Sequence, residues 1–198
     1  MQLLLATKNK GKLREMARAL HGLGFHFMTL DRFPDLPEAN ESGRTFSENA
    51  LLKARHYHEL TLLPCLADDS GLAVDALGGQ PGIHSARYAP SDEKRIHKLL
   101  LRLRQARKTP SVGRQARFIC CLCLFSSHLH IETEGVVDGE IASEPRGRGG
   151  FGYDPVFYYP PLQKTFAQLS LAQKNKLSHR ALALKQLHQR LSQPPTSE

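Results

Sequence analysis

Apolar positions recur along this chain with two different periods, and the switches between them mark its elements. Leu3 to Ala6 is a short continuous apolar run, which predicts a buried strand. From Lys12 to Leu23 the residues Leu13, Met16, Ala17 and Leu20 fall at i, i+3, i+4 and i+7, the spacing of one helix face, and Gly22 and Gly24 stop it. Phe25 to Leu30 alternates as a second strand, followed by a polar, proline-bearing loop over Asp31 to Arg44. Thr45-Phe46-Ser47-Glu48 has the form of a capping box, with Thr45 accepting from the third helical N–H and Glu48 reaching back. A helix is therefore predicted from Phe46 to Leu62, closed by Pro64.

Cys65 to Asp68 predicts a strand that delivers Asp68-Asp69-Ser70-Gly71 at its carboxyl end, and Leu77 to Gly82 has the breaker density of an exposed loop. A basic helix over Lys94 to Lys108 carries the apolar stripe Ile96, Leu99, Leu100 and Leu103. Arg117 to Phe125 and His130 to Val137 read as a hairpin, Asp138 to Gly152 as a glycine-rich loop, and Phe157 to Tyr159 as a further strand. The end of the chain is helical, with a cap at Ser170, a restart near Ser178, an apolar face of Ala181, Leu184, Leu187 and Leu191, and a frayed tail from Pro194 to Glu198. The order of elements predicts an α/β fold with a mixed sheet and helices on its faces. No repeat or linker divides residues 1–198, so one domain is expected.

Composition narrows the class. The 198 residues are 40% apolar, enough for a core without disulfide or metal staples. The longest apolar run, Ile119 to Phe125, is far short of the ~20 residues of a membrane span, and Met1 to Ala6 is too short for an export signal. The four cysteines, at 65, 120, 121 and 123, lack C-x-x-C spacing and read as reduced core thiols, which points to the cytoplasm. A net charge of +8 raises the question of nucleic acid. The cations are dispersed and no aromatic residues interleave with them, so a small anionic substrate is expected and no polynucleotide.

Four segments carry candidate chemistry. Thr7-Lys8-Asn9-Lys10-Gly11-Lys12 joins a strand to a helix, where amides, the helix dipole and lysines suit phosphate; a turn that is merely basic is the alternative. Asp68 and Asp69 offer hard oxygen ligands for Mg²⁺, with Glu38 or Glu41 to complete the shell; solvated acids in a turn are the alternative. Gly149-Gly150-Phe151-Gly152-Tyr153-Asp154-Pro155 combines glycines with two aromatic faces and an acceptor, suited to a planar group or to a hairpin end with core aromatics. Lys174-Asn175-Lys176-Leu177-Ser178-His179-Arg180 places cations in a first helical turn, where an anionic partner explains them best.

Read together and in this order, the segments closely resemble the inosine triphosphate pyrophosphatase family. The resemblance runs from Leu5 to Leu191 and rests on Ala6-Thr7-x-Asn9-x-Gly11-Lys12, Glu41-Ser42-Gly43, Glu48-Asn49-Ala50-x-x-Lys53-Ala54 and Ala67-Asp68-Asp69-Ser70-Gly71-Leu72. It continues through Ala76 to Tyr88, Gly149 to Pro155, and Lys174-Asn175-x-x-Ser178-His179-Arg180. It implies an elongated α/β fold with two lobes around a central substrate cleft, a homodimer, Mg²⁺ dependence, and hydrolysis of ITP, dITP and XTP to the monophosphate and pyrophosphate. By motif, Thr7, Lys8, Asn9, Lys10, Gly11, Lys12 and Lys53 should hold phosphate. Glu41, Asp68 and Asp69 should serve the metal, with Asp69 also the proton acceptor. Ser70, Phe151, Gly152, Tyr153, Asp154, Lys174, His179 and Arg180 should bind the nucleotide and its base. His84 stands where a Tyr is usual and Arg148 where a Thr is common, and the segment after Tyr88 is short. Two alternatives stay open: a pyrophosphatase for another triphosphate, such as a modified pyrimidine, and a catalytically idle nucleotide- or RNA-binding module.

Overall fold

A computed structural model describes residues 1–106 and 113–192. Its strands are β1 (Gln2–Ala6), β2 (His26–Thr29), β3 (Cys65–Val74), β4 (Gln115–Phe125), β5 (His130–Ile141), β6 (Phe157–Tyr159) and β7 (Lys164–Thr165), and its helices are α1 (Lys10–Ala19), α2 (Phe46–Thr61), α3 (Asp92–Ala106), α4 (Leu171–Leu177) and α5 (His179–Ser192). The strands form one mixed sheet in the order β2-β1-β3-β4-β5-β6-β7. β1 pairs in parallel with β2 and β3, while β6 is antiparallel to both β5 and β7. The expected α/β class holds. Arg107, Lys108 and the Pro194 to Glu198 tail lie outside the described residues.

The chain folds into two compact units. The first takes Met1–Asp69, Cys120–Gly135 and the chain from His179; the second takes Ser70–Ile119 and Val136–Ser178. In the first, α1 and α5 lay Met16, Leu20, Ala183, Leu184 and Leu187 on the sheet residues Leu3, Leu5, Leu66, Cys120, Leu122 and Leu124. This is the apolar face that the i, i+3, i+4 spacing marks in α1; in α5 Leu184 and Leu187 are buried as expected, but the core alanine is Ala183, and the expected Ala181 is only half-buried. In the second, the core is aromatic: Phe118, Phe157 and Phe166 meet with ring centroids 4.5 to 5.8 Å apart.

Several boundaries differ from the expectation. The helix α1 starts two residues early because Asn9 caps it, and ends at Ala19. Thr45 caps α2 as expected, its hydroxyl accepting from the Glu48 N–H at 3.1 Å, but Glu48 reaches the Arg44 N–H at 2.6 Å. That helix ends at Thr61, and Leu62, in the left-handed conformation at φ 57°, caps it by donating its N–H to the His58 carbonyl before Pro64 is reached. β5 runs on to Ile141, four residues into the segment expected as loop. β3 runs ten residues, so Asp68 and Asp69 sit inside a strand rather than at its end. Leu72 and Val74 beyond them are fully buried and keep the strand paired.

Candidate functional site

The connection between β1 and α1 is three residues long, and its amides are largely consumed internally. Asn9 Oδ1 accepts from the N–H groups of Gly11 at 2.8 Å and Lys12 at 3.2 Å, and Thr7 Oγ1 accepts from Asn9 N–H at 3.2 Å. Capacity for an anion here therefore rests mainly on ammonium groups. Three of these are parked on acids: Lys8 on Glu38 at 2.8 Å, Lys53 on Glu41 at 2.7 Å, and Lys12 on Asp68 Oδ1. Lys10 is exposed in the same turn and Gly11 half-buried. Thr7, Lys8, Glu41 and Lys53 line a pocket of about 190 Å³, with Ala6, Leu30, Glu38, Ala39 and Tyr57. Sites for drug-sized ligands run roughly 300 to 1,000 Å³, so this one suits phosphate groups rather than a whole nucleotide.

Successive side chains of a strand point to opposite faces, and in β3 this divides the acid pair. Asp68 meets the helices α1 and α5. Arg180 Nε donates to its Oδ2 at 2.7 Å, the Cys120 thiol donates to the same oxygen at 3.1 Å, and Lys12 takes Oδ1. Arg180 in turn donates to Glu15 at 2.5 Å. Burial pushes the Asp68 carboxyl up, but Arg180 and Lys12 more than offset it and hold the group well below the usual carboxylate range. Its charge is matched by two cations in a dry site.

Asp69 is treated in the opposite way. It is 8% exposed, and its Oδ2 has no hydrogen-bond partner among the described residues. Burial raises its pKa to about 6, with Lys53 and Lys12 opposing and the charges of Glu41 and Asp68 adding. Mutual repulsion within the acid pair is thus a small contributor; desolvation dominates because the pair is split between two faces. Lys53 Nζ also donates to the Asp68 carbonyl at 3.0 Å, which fixes this ammonium beside the strand. An orphaned, nearly buried carboxylate oxygen with a second acid and two lysines acting on it suits a divalent cation and a phosphate oxygen together. Glu38 does not join that group, since it pairs with Lys8 at the surface.

The second unit shapes a different element. Gly149 to Pro155 folds around Asp154, which is 2% exposed and accepts from Lys174 Nζ at 2.5 Å and from Phe151 N–H at 2.9 Å. Gly150 has φ +73°, and a Cβ there would meet Asp154 Oδ2 at 1.9 Å, so only glycine fits. The Gly152 N–H donates to Asp92 Oδ2 at 2.7 Å. Lys174 lies 4.5 Å from the centroid of the half-buried Phe151 ring. Tyr153 is buried, its hydroxyl donating to the Ser85 carbonyl at 3.0 Å, so of the two expected stacking faces Phe151 remains. A pocket of about 750 Å³ opens between this loop and α3.

Of the remaining expected residues, Ser70 is half-buried in β3 and belongs to the second unit, while His179 is buried at the start of α5 in the first. Arg180 and Lys174 are spent on acids rather than held out as donors. Reasoning from sequence missed the partners that make these arrangements: Cys120, Glu15 and Asp92. Asp92 is signalled by its place at a helix start; the other two sit in apolar or amphipathic stretches that carry no motif.

A sheet that offers an orphaned acid and acid-held lysines defines an α/β protein suited to a polyanionic ligand. The chain belongs to the Ham1 family, whose model matches residues 3–190. A dITP/XTP pyrophosphatase of Geobacillus kaustophilus is 47% identical over 187 residues, covering 94% of this chain and 92% of the relative. Among solved structures, a HAM1 protein from Coxiella burnetii superposes with a TM-score of 0.88 at 43% identity, covering 97% of this chain and 98% of that one. The Staphylococcus aureus Ham1 protein gives 0.85 at 38% identity, covering 96% and 98%.

Proposed function

We propose that this chain is a nucleoside-triphosphate pyrophosphatase that hydrolyses ITP, dITP and XTP to the monophosphate and pyrophosphate. The names of its relatives support the substrate class, and one observation carries the chemistry: Asp69 presents a nearly buried carboxylate oxygen without a hydrogen-bond partner among the described residues. Its pKa of about 6 suits a general base at neutral pH, because the group is ionised yet basic enough to take a proton from attacking water. The water adds to the α-phosphorus, its proton passes to Asp69, and the bond to the pyrophosphate oxygen breaks. Lys12 and Lys53 stabilise the leaving charge, Lys53 donating to a phosphate oxygen in place of Glu41. Thr7, Lys8 and Lys10 complete the phosphate-binding turn, and Asn9 holds its shape by accepting from the Gly11 and Lys12 amides.

The donor set fits Mg²⁺, since Glu41 and Asp69 supply hard oxygens. These two residues would hold the ion. Asp68, whose oxygens are engaged by Arg180, Lys12 and Cys120, serves as the acid that positions those cations. Bound there, Mg²⁺ neutralises phosphate charge and lowers the pKa of water within reach. On the base side, Phe151 provides the stacking face, and Lys174 and Asp154 hold its loop in shape together with Gly152. Tyr153 positions that loop from the core, and Ser70 and His179 stay in the nucleotide-binding set. A donor facing the 6-position of the bound base would accept the 6-oxo group of inosine or xanthine and reject the 6-amino group of adenine by ~1 to 3 kcal/mol.

The direct test is pyrophosphate release from ITP, dITP, XTP, GTP and ATP with and without Mg²⁺. Release confined to the first three and dependent on the ion is expected; release from a modified pyrimidine triphosphate in preference would sink the substrate assignment. The homodimer rests on the family resemblance and is read by sedimentation. A cytoplasmic setting is supported by four buried free thiols, and none of the described helices is long and apolar enough to cross a membrane.

A further inference from the structure

The β4–β5 hairpin carries chemistry that the hydrolytic reaction does not use. Ser126 N–H donates to the Leu129 carbonyl at 2.7 Å, which closes a short turn and sets the cross-strand pairing. Counting back from that pair, Phe125 faces His130 and Cys123 faces Glu132. The contacts agree: the Phe125 and His130 rings lie 5.7 Å apart, and one pair further along, Cys121 Sγ donates to Glu134 at 3.4 Å. Alternation therefore brings Cys123, His130 and Glu132 to one face of the hairpin. Their ligand atoms all lie within 4.8 Å of one another, and His130 Nε2 is 2.8 Å from Glu132 Oε1.

We propose that Cys123, His130 and Glu132 form a binding site for a divalent transition-metal ion of the Zn²⁺ class. A thiolate, an imidazole and a carboxylate are the borderline-soft donors that Zn²⁺ and Co²⁺ prefer and Mg²⁺ does not. Tetrahedral Zn²⁺ places its donors roughly 3.3 to 3.8 Å apart, so a modest rotation of the exposed His130 side chain closes the present spacing. Cys123 forms a buried floor, and His130 and Glu132 a solvent-facing rim through which an ion and a water ligand can enter. The other Glu132 oxygen accepts from Ser47 of α2, the second-sphere contact that orients a ligating carboxylate. Burial and the Glu132 charge push the Cys123 thiol up to about 12, with Arg55 opposing. A bound cation reverses that balance, since it displaces the thiol proton and neutralises Glu132.

The site is independent of the proposed activity and is tested on the full chain with Mg²⁺ in excess, which saturates the hard oxygen site. Co²⁺ titration should give a thiolate-to-cobalt charge-transfer band that saturates at one equivalent and is bleached by Zn²⁺. Cys123→Ser should abolish the band. His130→Ala and Glu132→Gln, at solvent-facing side chains, should each weaken Co²⁺ binding by more than ~100-fold, since loss of an outer-sphere partner alone costs 10- to 100-fold. The proposal is overturned by absence of the band at stoichiometric Co²⁺, or by a band that survives Cys123→Ser and vanishes in Cys121→Ser. Should Cys123→Ser not fold, unchanged affinity in both rim variants overturns it equally.

Discussion

Asp69 in the first unit and Asp154 in the second are both nearly buried carboxylates, at 8% and 2% exposure, and the chain treats them oppositely. Asp154 accepts from an ammonium and a backbone amide and so fixes the shape of a glycine loop. Asp69 keeps an oxygen with no hydrogen-bond partner among the described residues and a pKa raised to about 6. Satisfying a buried acid turns it into a structural element, while leaving it short of partners stores free energy that a ligand can release. The second unit holds its loop ready in advance; the first keeps its acid reactive at a cost in stability.

The largest effect should come from removing the reactive acid. Asp69→Asn is expected to lower kcat for ITP by about 10²- to 10⁴-fold. It should also raise the melting temperature at neutral pH. The folded pKa of about 6 lies above the unfolded ~3.9, so the stabilising contribution is complete below pH ~4 and lost as pH rises through 6, a difference of roughly 2 to 3 kcal/mol. The same titration predicts that wild-type kcat/KM falls below pH 6 at limiting Mg²⁺, with the midpoint moving to lower pH as Mg²⁺ is raised, since the ion competes with the proton for Asp69. Near-native turnover in the variant would end the comparison between the two acids.

Next in size is Arg180→Met, which leaves Asp68 short of its chief partner in a dry site. A loss of about 3 to 5 kcal/mol is expected in denaturant unfolding at pH 7. Asp68 is held below its unfolded pKa, so this contribution is present above pH ~4 and lost only as pH falls through the folded value. A loss under ~1 kcal/mol would mean the network is decorative. Phe151→Ala in the second unit should raise KM for ITP about tenfold with kcat little changed, as expected for a stacking surface; an equal fall in kcat would place that loop in the chemistry. The smallest effect belongs to Lys8→Ala, an exposed pair with Glu38. KM should rise by less than about threefold, fading at high salt, with the melting temperature unchanged.

Local signals in the sequence were reliable where one residue determines the outcome. The Thr45 and Ser170 caps, the periodic faces of α1 and α3, and the glycine requirement near Phe151 all follow from chain-local physics. The extent of β3 does not: Ser70 and Gly71 look like a turn, yet burial of Leu72 and Val74 outweighs their poor strand propensity. The motifs likewise located Asp68, Asp69, Lys174 and Arg180 but not how they differ. Whether an acid is satisfied depends on residues far along the chain, such as Arg180 and Cys120 for Asp68, and no spacing rule reports that. Asn9 is the converse case, since its cap is visible locally and shows why the first-turn amides are not available to phosphate.

The alternation of β3 sets different tolerances for two kinds of genetic change. Substitutions among Cys65 to Ala67 alter packing around the acids but leave each acid on its own face. Deletion of a single codon in that stretch would carry Asp69 to the face where Arg180 and Lys12 wait and put Ser70 in its place. An insertion would carry Asp68 to the reactive face and leave Ala67 among the cations. Either way one of the two acids is lost from its post, so lineages of this chain should accumulate replacements upstream of the pair while its reading length stays fixed.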